Sequence, residues 1–183
     1  EVAITNRKQL SFVSEESINK QAYQAYNSIK KNENIIRSGS QVEMLNEVGK
    51  KVTTSVENYF NEMGQFETLK NYEWEYILID EPDTLNAWCL PGGKIAFYTG
   101  ILDVTENEDG MASVMGHEIA HAVAKHSLER ASQSLALKVG TTILDIALEG
   151  ALSSSSADDY LVNLGITLPF NRLQESEADY LGL

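Results

Sequence analysis

Cysteine is almost missing from this 183-residue chain: Cys89 is alone, so no internal disulfide can form, and the compartment stays open on that ground. Histidine is scarce too, with three in all, and they fall together at His117, His121 and His126. Positive charge is in deficit, 14 Lys and Arg against 27 Asp and Glu, for a net charge of -13. A surface of that sign repels nucleic acid and anionic membranes, which removes both as partners. The acidity reads as general solubility rather than as a trap for a basic substrate. No uninterrupted apolar run reaches the 18 residues of a membrane span. The nearest, Leu135 to Leu152, is broken by Lys138, Asp145 and Glu149. An initiator Met and a signal peptide are also missing, so the chain reads as processed or trimmed.

What remains is ordinary globular composition, and the length leaves room for one domain with a real core. Residues 1–13 lack periodicity and read as an N-terminal arm. Residues 14–183 read as a single domain. Ser14-Glu15-Glu16 has the form of a helix start, and Ile18, Ala22, Ala25, Tyr26 and Ile29 mark the packing face of a helix to about Asn32. After a break at Arg37–Ser40, a second helix carries the stripe Val42, Leu45, Val48, Val52, Val56 and Phe60, and Gly64 ends it.

Strand periods follow. Tyr72 to Ile79 is one strand; Leu85–Leu90 and Lys94–Thr99 are two more, joined by Pro91-Gly92-Gly93, and Gly100 breaks the set. Thr105 and Glu108 fit a capping box that opens a helix running to about Arg130. Ser153–Ser156 reads as a loop. Short helices are expected near Asp158–Leu164 and Leu173–Leu183, the last without a closing cap.

The chemistry lies in His117-Glu118-Ile119-Ala120-His121, set in an apolar helical segment. Residues four apart share a helix face, so both imidazoles can address one metal ion while Glu118 stands beside them. This is the HExxH pattern of zinc peptidases. Three unpartnered polar side chains in an apolar segment would cost several kcal/mol, which a bound ion offsets. A catalytic zinc needs three protein ligands and an open position. His126 stands nine residues after His117, half a turn out of phase on a continuous helix, and reads as a capping or packing histidine near its C-terminus. The metzincin pattern wants a glycine and a third histidine where Ala124 and Ser127 stand, so it fails. A structural site closed by cysteines and histidines does not fit either.

The third ligand is therefore a carboxylate from elsewhere, and Glu175-Ser176-Glu177-Ala178-Asp179 is the best source. Glu175 and Asp179 share a helix face. One could bind zinc while the other accepts a hydrogen bond from a ligand histidine. Cys89 reads as a small buried apolar residue rather than a metal-blocking thiolate.

Three motifs, taken together, resemble the HtpX, Oma and CAAX-prenyl-protease family of zinc metallopeptidases in the gluzincin clan. They are Asn86-Ala87 to Pro91-Gly92-Gly93-Lys94-Ile95, Gly116-His117 to His126, and Arg172 to Asp179. The lead-in Asn6–Leu10 and Val13–Glu16 is similar to the start of soluble, periplasmic, lipoprotein-like members. The resemblance implies an α+β fold: a mainly helical gluzincin-like domain with a small mixed β-sheet beside the HExxH helix. It implies one Zn2+ on His117, His121 and Glu175, with Asp179 orienting His117. It implies an extended substrate along the strand after the glycines, at Gly92, Gly93, Lys94, Ile95 and Ala96, in keeping with β-augmentation. It also implies a bacterial, periplasmic setting, by lipid anchor before trimming. The family's domain continues past the Glu-Ala-Asp motif to an oxyanion-stabilising residue, so a C-terminally truncated domain is expected.

The function expected is a zinc-dependent metalloendopeptidase with Glu118 as general base, acting on extended or unfolded protein, as in quality control. The alternative is a zinc-binding chaperone or assembly factor with little proteolysis. Protein or peptide substrates are the expected partners.

Overall fold

In the computed structural model, which describes residues 2–139 apart from 3 and 10, and residues 171–182, Ser14 caps helix α1 (Glu15–Asn32) by accepting from the Ser17 amide at 3.2 Å. Glu15 and Glu16 in its first turn and Lys30 and Lys31 in its last oppose the helix dipole. Its buried face is Ile18, Ala22, Ala25, Tyr26 and Ile29, as the periodicity predicts. A short strand β1 (Ile35–Ile36) leads into α2 (Ser40–Glu62), which buries Leu45, Val48 and Phe60 and half-buries Val42, Val52 and Val56. Gly64, at φ 68°, turns the chain out of it.

Strands β2 (Glu75–Ile79), β3 (Ala87–Leu90) and β4 (Lys94–Tyr98) complete a four-stranded sheet in the order β1-β2-β4-β3. β1 is antiparallel to β2, β2 parallel to β4, and β3 antiparallel to β4, so the sheet is mixed. Strand alternation sorts its side chains into two cores. Ile77, Ile79, Trp88, Leu90 and Ala96 face α1, and Leu128 joins them. Leu78, Ala87, Cys89, Ile95 and Phe97 face α2 and the motif helix. Both faces are covered, which is why three strand segments read as nearly continuous apolar runs. Each fully buried Leu, Ile or Phe contributes about 1.5–3 kcal/mol. This is the α+β, mainly helical architecture with a small mixed sheet that the motifs imply.

Four local expectations are corrected. The first strand begins at Glu75, where pairing with Lys94 starts; before it, the Glu73 amide donates to the Gly92 carbonyl in the hairpin turn, where β4 has not yet begun. The third strand ends at Tyr98 and not Thr99, because Thr99 opens helix α3 (Thr99–Thr105), in which Gly100 is pressed against the carbonyls of Pro82 and Thr84. The capping box is absent. Thr105 ends α3, and Asn107 caps α4 (Glu108–Val123), its Oδ1 accepting from the amides of Asp109 and Gly110 at 3.0 Å. Glu108 pairs with Lys51 at 2.9 Å.

The fourth correction matters most. The motif helix does not run to Arg130. It stops at Val123, the chain bends through Ala124 and Lys125, and α5 (His126–Val139) starts in a new direction. Lys125 has φ 57°, a left-handed conformation that costs about 1–2 kcal/mol for a side-chain-bearing residue. Contacts from outside hold the bend: Gln9 donates to the Ala124 carbonyl, and Lys125 pairs with Glu15.

The last described helix, α6 (Arg172–Gly182), lies against α4. The arm packs over the α5–α6 side: Val2 is buried, Arg7 reaches Glu129 and Glu177, and the Phe12 amide donates to Ser132 Oγ at 2.9 Å. Expectations for residues 140–170, including the Ser-rich loop and the helix near Asp158, fall outside the described residues. No described helix is long and apolar enough to cross a membrane.

Candidate metal centre

Helix α4 is apolar over most of its circumference. Met111, Met115, Ile119, Ala120, Ala122 and Val123 are buried against α2, β3 and α6. His117 and His121 therefore emerge on a helix that packing holds from several sides. Their Nε2 atoms lie 3.0 Å apart. Glu175 of α6 faces them, with its Oε2 3.4 Å from His117 Nε2 and its Oε1 3.8 Å from His121 Nε2. One ligand atom from each of the three residues falls within 4.8 Å of the other two. Sequence spacing left Glu175 and Asp179 interchangeable. The fold separates them: Asp179 Oδ1 stands 3.0 Å from His117 Nδ1, on the side of the ring away from the cluster.

Two imidazole nitrogens and one carboxylate make the donor set of a catalytic zinc site with a position left open. The exposure pattern agrees, since the His121 side chain is 5% exposed and the Glu175 side chain 44%. The cluster is thus closed at its base and accessible at its rim among the described residues. Burial, then the neighbouring His126 and His117, lowers the His121 pKa to about 3, so its ring is neutral and can offer a lone pair. The residues present fit a single divalent cation.

Glu118 is half-buried beside this cluster. Desolvation, then the charge of Glu175, pushes its carboxyl up to about 8. Cys89 of β3 lies close enough for Glu118 to raise its thiol, after burial, well above the ordinary value. The thiol is neutral and buried, in line with a packing role. β3 therefore passes alongside Glu118.

The strand assigned to substrate is corrected. β4 is an interior strand, hydrogen-bonded to β2 on one side and β3 on the other, so it has no edge to offer. Ile95 and Ala96 are wholly buried. Lys94 donates to the Glu73 carbonyl at 2.6 Å, and Gly92 and Gly93, at φ 88° and 85°, form the tight hairpin itself. Among the described residues β3 pairs with β4 alone, which leaves its other side as the edge next to α4.

Sequence reasoning also missed a polar cluster behind the site. His126 is fully buried, with Nδ1 2.8 Å from His121 Nδ1 and Nε2 3.0 Å from Glu177 Oε2. Glu177 takes a further bond from Arg7 Nε at 2.7 Å, and Arg7 forks onto Glu129 at 2.9 and 2.7 Å. A signal was available: Glu177 lies on the opposite face of its helix from Glu175, so the acidic run had to point two ways.

The chain belongs to peptidase family M48, whose family model matches residues 50–183. It is similar to the mitochondrial metalloendopeptidase OMA1 of Schizosaccharomyces pombe, 41% identical over 63% of this chain and 33% of that protein. The human mitochondrial metalloendopeptidase OMA1 is 30% identical over 63% of this chain and 23% of its own length. The metalloprotease YcaL of Escherichia coli is 30% identical over 52% of this chain and 37% of its own. The chain thus spans about a third or less of the mitochondrial relatives it matches. These similarities overturn the periplasmic, lipid-anchored placement. The fission-yeast mitochondrial protein matches at higher identity, over more of this chain, than the bacterial YcaL does, so the resemblance assigns no compartment.

Proposed function

We propose that this chain is a zinc metalloendopeptidase acting on extended or unfolded protein segments, in the manner of a quality-control protease. The observation that carries the reading is the convergence of His117, His121 and Glu175 from two helices onto one point, with Glu118 beside it. His117 Nε2, His121 Nε2 and a Glu175 carboxylate oxygen would hold the zinc ion. When bound, zinc supplies a Lewis acid that acidifies water and polarises the scissile carbonyl.

The chain's own groups do the rest. Glu118 takes up the proton of the attacking water at its carboxylate and passes it to the departing amine. Its desolvated setting makes the protonated form accessible, as that second step requires. Asp179 fixes the His117 ring by accepting from Nδ1, which directs Nε2 to the metal. A peptide would lie along the edge of β3 that no described strand occupies, held by backbone hydrogen bonds with little sequence preference. The likeness to the metalloendopeptidase OMA1 and the metalloprotease YcaL favours the same reaction.

The deciding variant is Glu118→Gln. It should bind zinc as the parent does and lose roughly 10²- to 10⁴-fold in kcat on casein. Undiminished cleavage removes Glu118 from the chemistry, and a parent chain that binds no zinc removes the reading altogether.

A further inference from the structure

The arm and the metal cluster are joined by one continuous line of polar contacts. Glu177 has only acceptor atoms when ionised, and Arg7 Nε, Thr5 Oγ1 and His126 Nε2 converge on it. His126 Nε2 must therefore carry a hydrogen. In neutral imidazole that leaves the lone pair on Nδ1, which faces His121 Nδ1 at 2.8 Å. His121 then donates from Nδ1, and its lone pair is left on Nε2, the atom that looks toward His117 and Glu175. His117 reaches the same state directly through Asp179. Each ligand histidine thus has its own carboxylate, His117 in contact and His121 at one remove.

We propose that His126 is a positioning residue for the metal-binding nitrogen of His121, and that Arg7 of the N-terminal arm, through Glu177 and Glu129, holds His126 in place. The arm is then a working part of the metal centre. This rests on the zinc reading above and extends it to residues 5–7, which stand outside the segment that matches the family model. Three features carry it. His126 is wholly enclosed, so it cannot exchange His121 for water. Glu177 and Glu129 have little exposure, and the Arg7 guanidinium bridges the two, adding its charge to the bonds that Thr5 and Gln174 give them. The bend at Lys125 exists in a conformation that the sequence does not favour, and its result is to place His126 beside His121 rather than half a turn away.

The test measures zinc affinity by competition with a chromophoric chelator, and thermal unfolding of the metal-free and zinc-loaded chains. The variants are His126→Phe, His126→Gln and Arg7→Gln. His126→Phe should lose roughly 10- to 100-fold in zinc affinity, the range for partners that orient ligands. His126→Gln keeps one donor and one acceptor and should recover part of the loss. Arg7→Gln, whose bonds go to Glu129 and Glu177, should also weaken zinc binding. The rise in Tm on adding zinc should shrink in all three. If the Phe variant does not fold, the two Gln variants decide.

Zinc affinity equal to the parent's in His126→Gln and Arg7→Gln, with equal Tm loss in metal-free and loaded forms, marks a packing role and overturns this inference alone. A parent chain that binds no zinc overturns the site reading and this inference together.

Discussion

Gly116 of α4 and Gly182 of α6 meet backbone to backbone: a Cβ on Gly116 would lie 2.6 Å from the Gly182 carbonyl oxygen, and one on Gly182 would lie 2.8 Å from the His117 amide nitrogen. The closeness is what allows α6 to bring Glu175 and Asp179 to His117. An alanine in place of a helix-interior glycine ordinarily gains about 1 kcal/mol. Here overpacking costs about 1–3 kcal/mol and acts on the ligand helix. Gly116→Ala should therefore lower Tm and weaken zinc binding together. A more stable variant with parental zinc affinity would show that the helices part without disturbing the ligands.

Asp179 is the carboxylate behind His117, at 3.0 Å. Asp179→Ala should weaken zinc binding by roughly 10- to 100-fold. Asp179→Asn should cost less, because the amide oxygen still accepts from Nδ1. Isothermal titration of metal-free protein with zinc distinguishes the two, and equal affinities for all three chains would dismiss the orienting role.

The start of the motif helix makes a local prediction. Asn107, not Thr105, satisfies its first amides. Asn107→Ala should lower stability by about 1 kcal/mol in urea unfolding. Glu108→Ala removes only a surface ion pair with Lys51 and should change it less than Asn107→Ala does. The reverse order would restore the capping box.

Acid should find the arm. The Arg7 guanidinium, then burial against it and Gln174 with it, leaves the Glu129 carboxyl below its ordinary 4.5. A carboxyl whose pKa is depressed on folding stabilises the fold fully above its unfolded value and loses that contribution as pH falls through the folded one. The stability gap between the parent and Glu129→Gln should be widest above pH 4.5 and should narrow below it. A gap that stays constant from neutral pH into acid would mean that the Arg7–Glu129 pair adds nothing.

Much of this was legible along the chain, and the reasons are local. The faces of α1 and α2 follow from a 3.6-residue period that needs no knowledge of what they pack against. His117 and His121 share a face by spacing alone, and the shortage of histidines pointed to a carboxylate beside them, which Glu175 provides in the cluster. β1 was not legible, because two residues make a strand only when Leu78 and Ile79 are there to pair with them. The place of β4 inside the sheet was equally hidden. Sequence order puts it last of the strands, whereas its parallel pairing with β2 puts it between β2 and β3.

The spacing along the chain was enough for the chemistry on offer: two imidazoles on one helix face with a carboxylate beside them, and an acidic run able to add a further carboxylate. Periodicity and spacing are short-range properties, and they suffice for that. The fold alone separates the two carboxylates, setting Glu175 before both Nε2 atoms and Asp179 before His117 Nδ1, because they differ by what α4 presents to them and not by their own pattern. It also decided the part of His126. A continuous helix would have turned that ring away. The bend at Lys125, in a conformation that side-chain-bearing residues avoid, turns it onto His121, and the contacts that hold the bend come from Gln9 and Glu15, more than a hundred residues earlier.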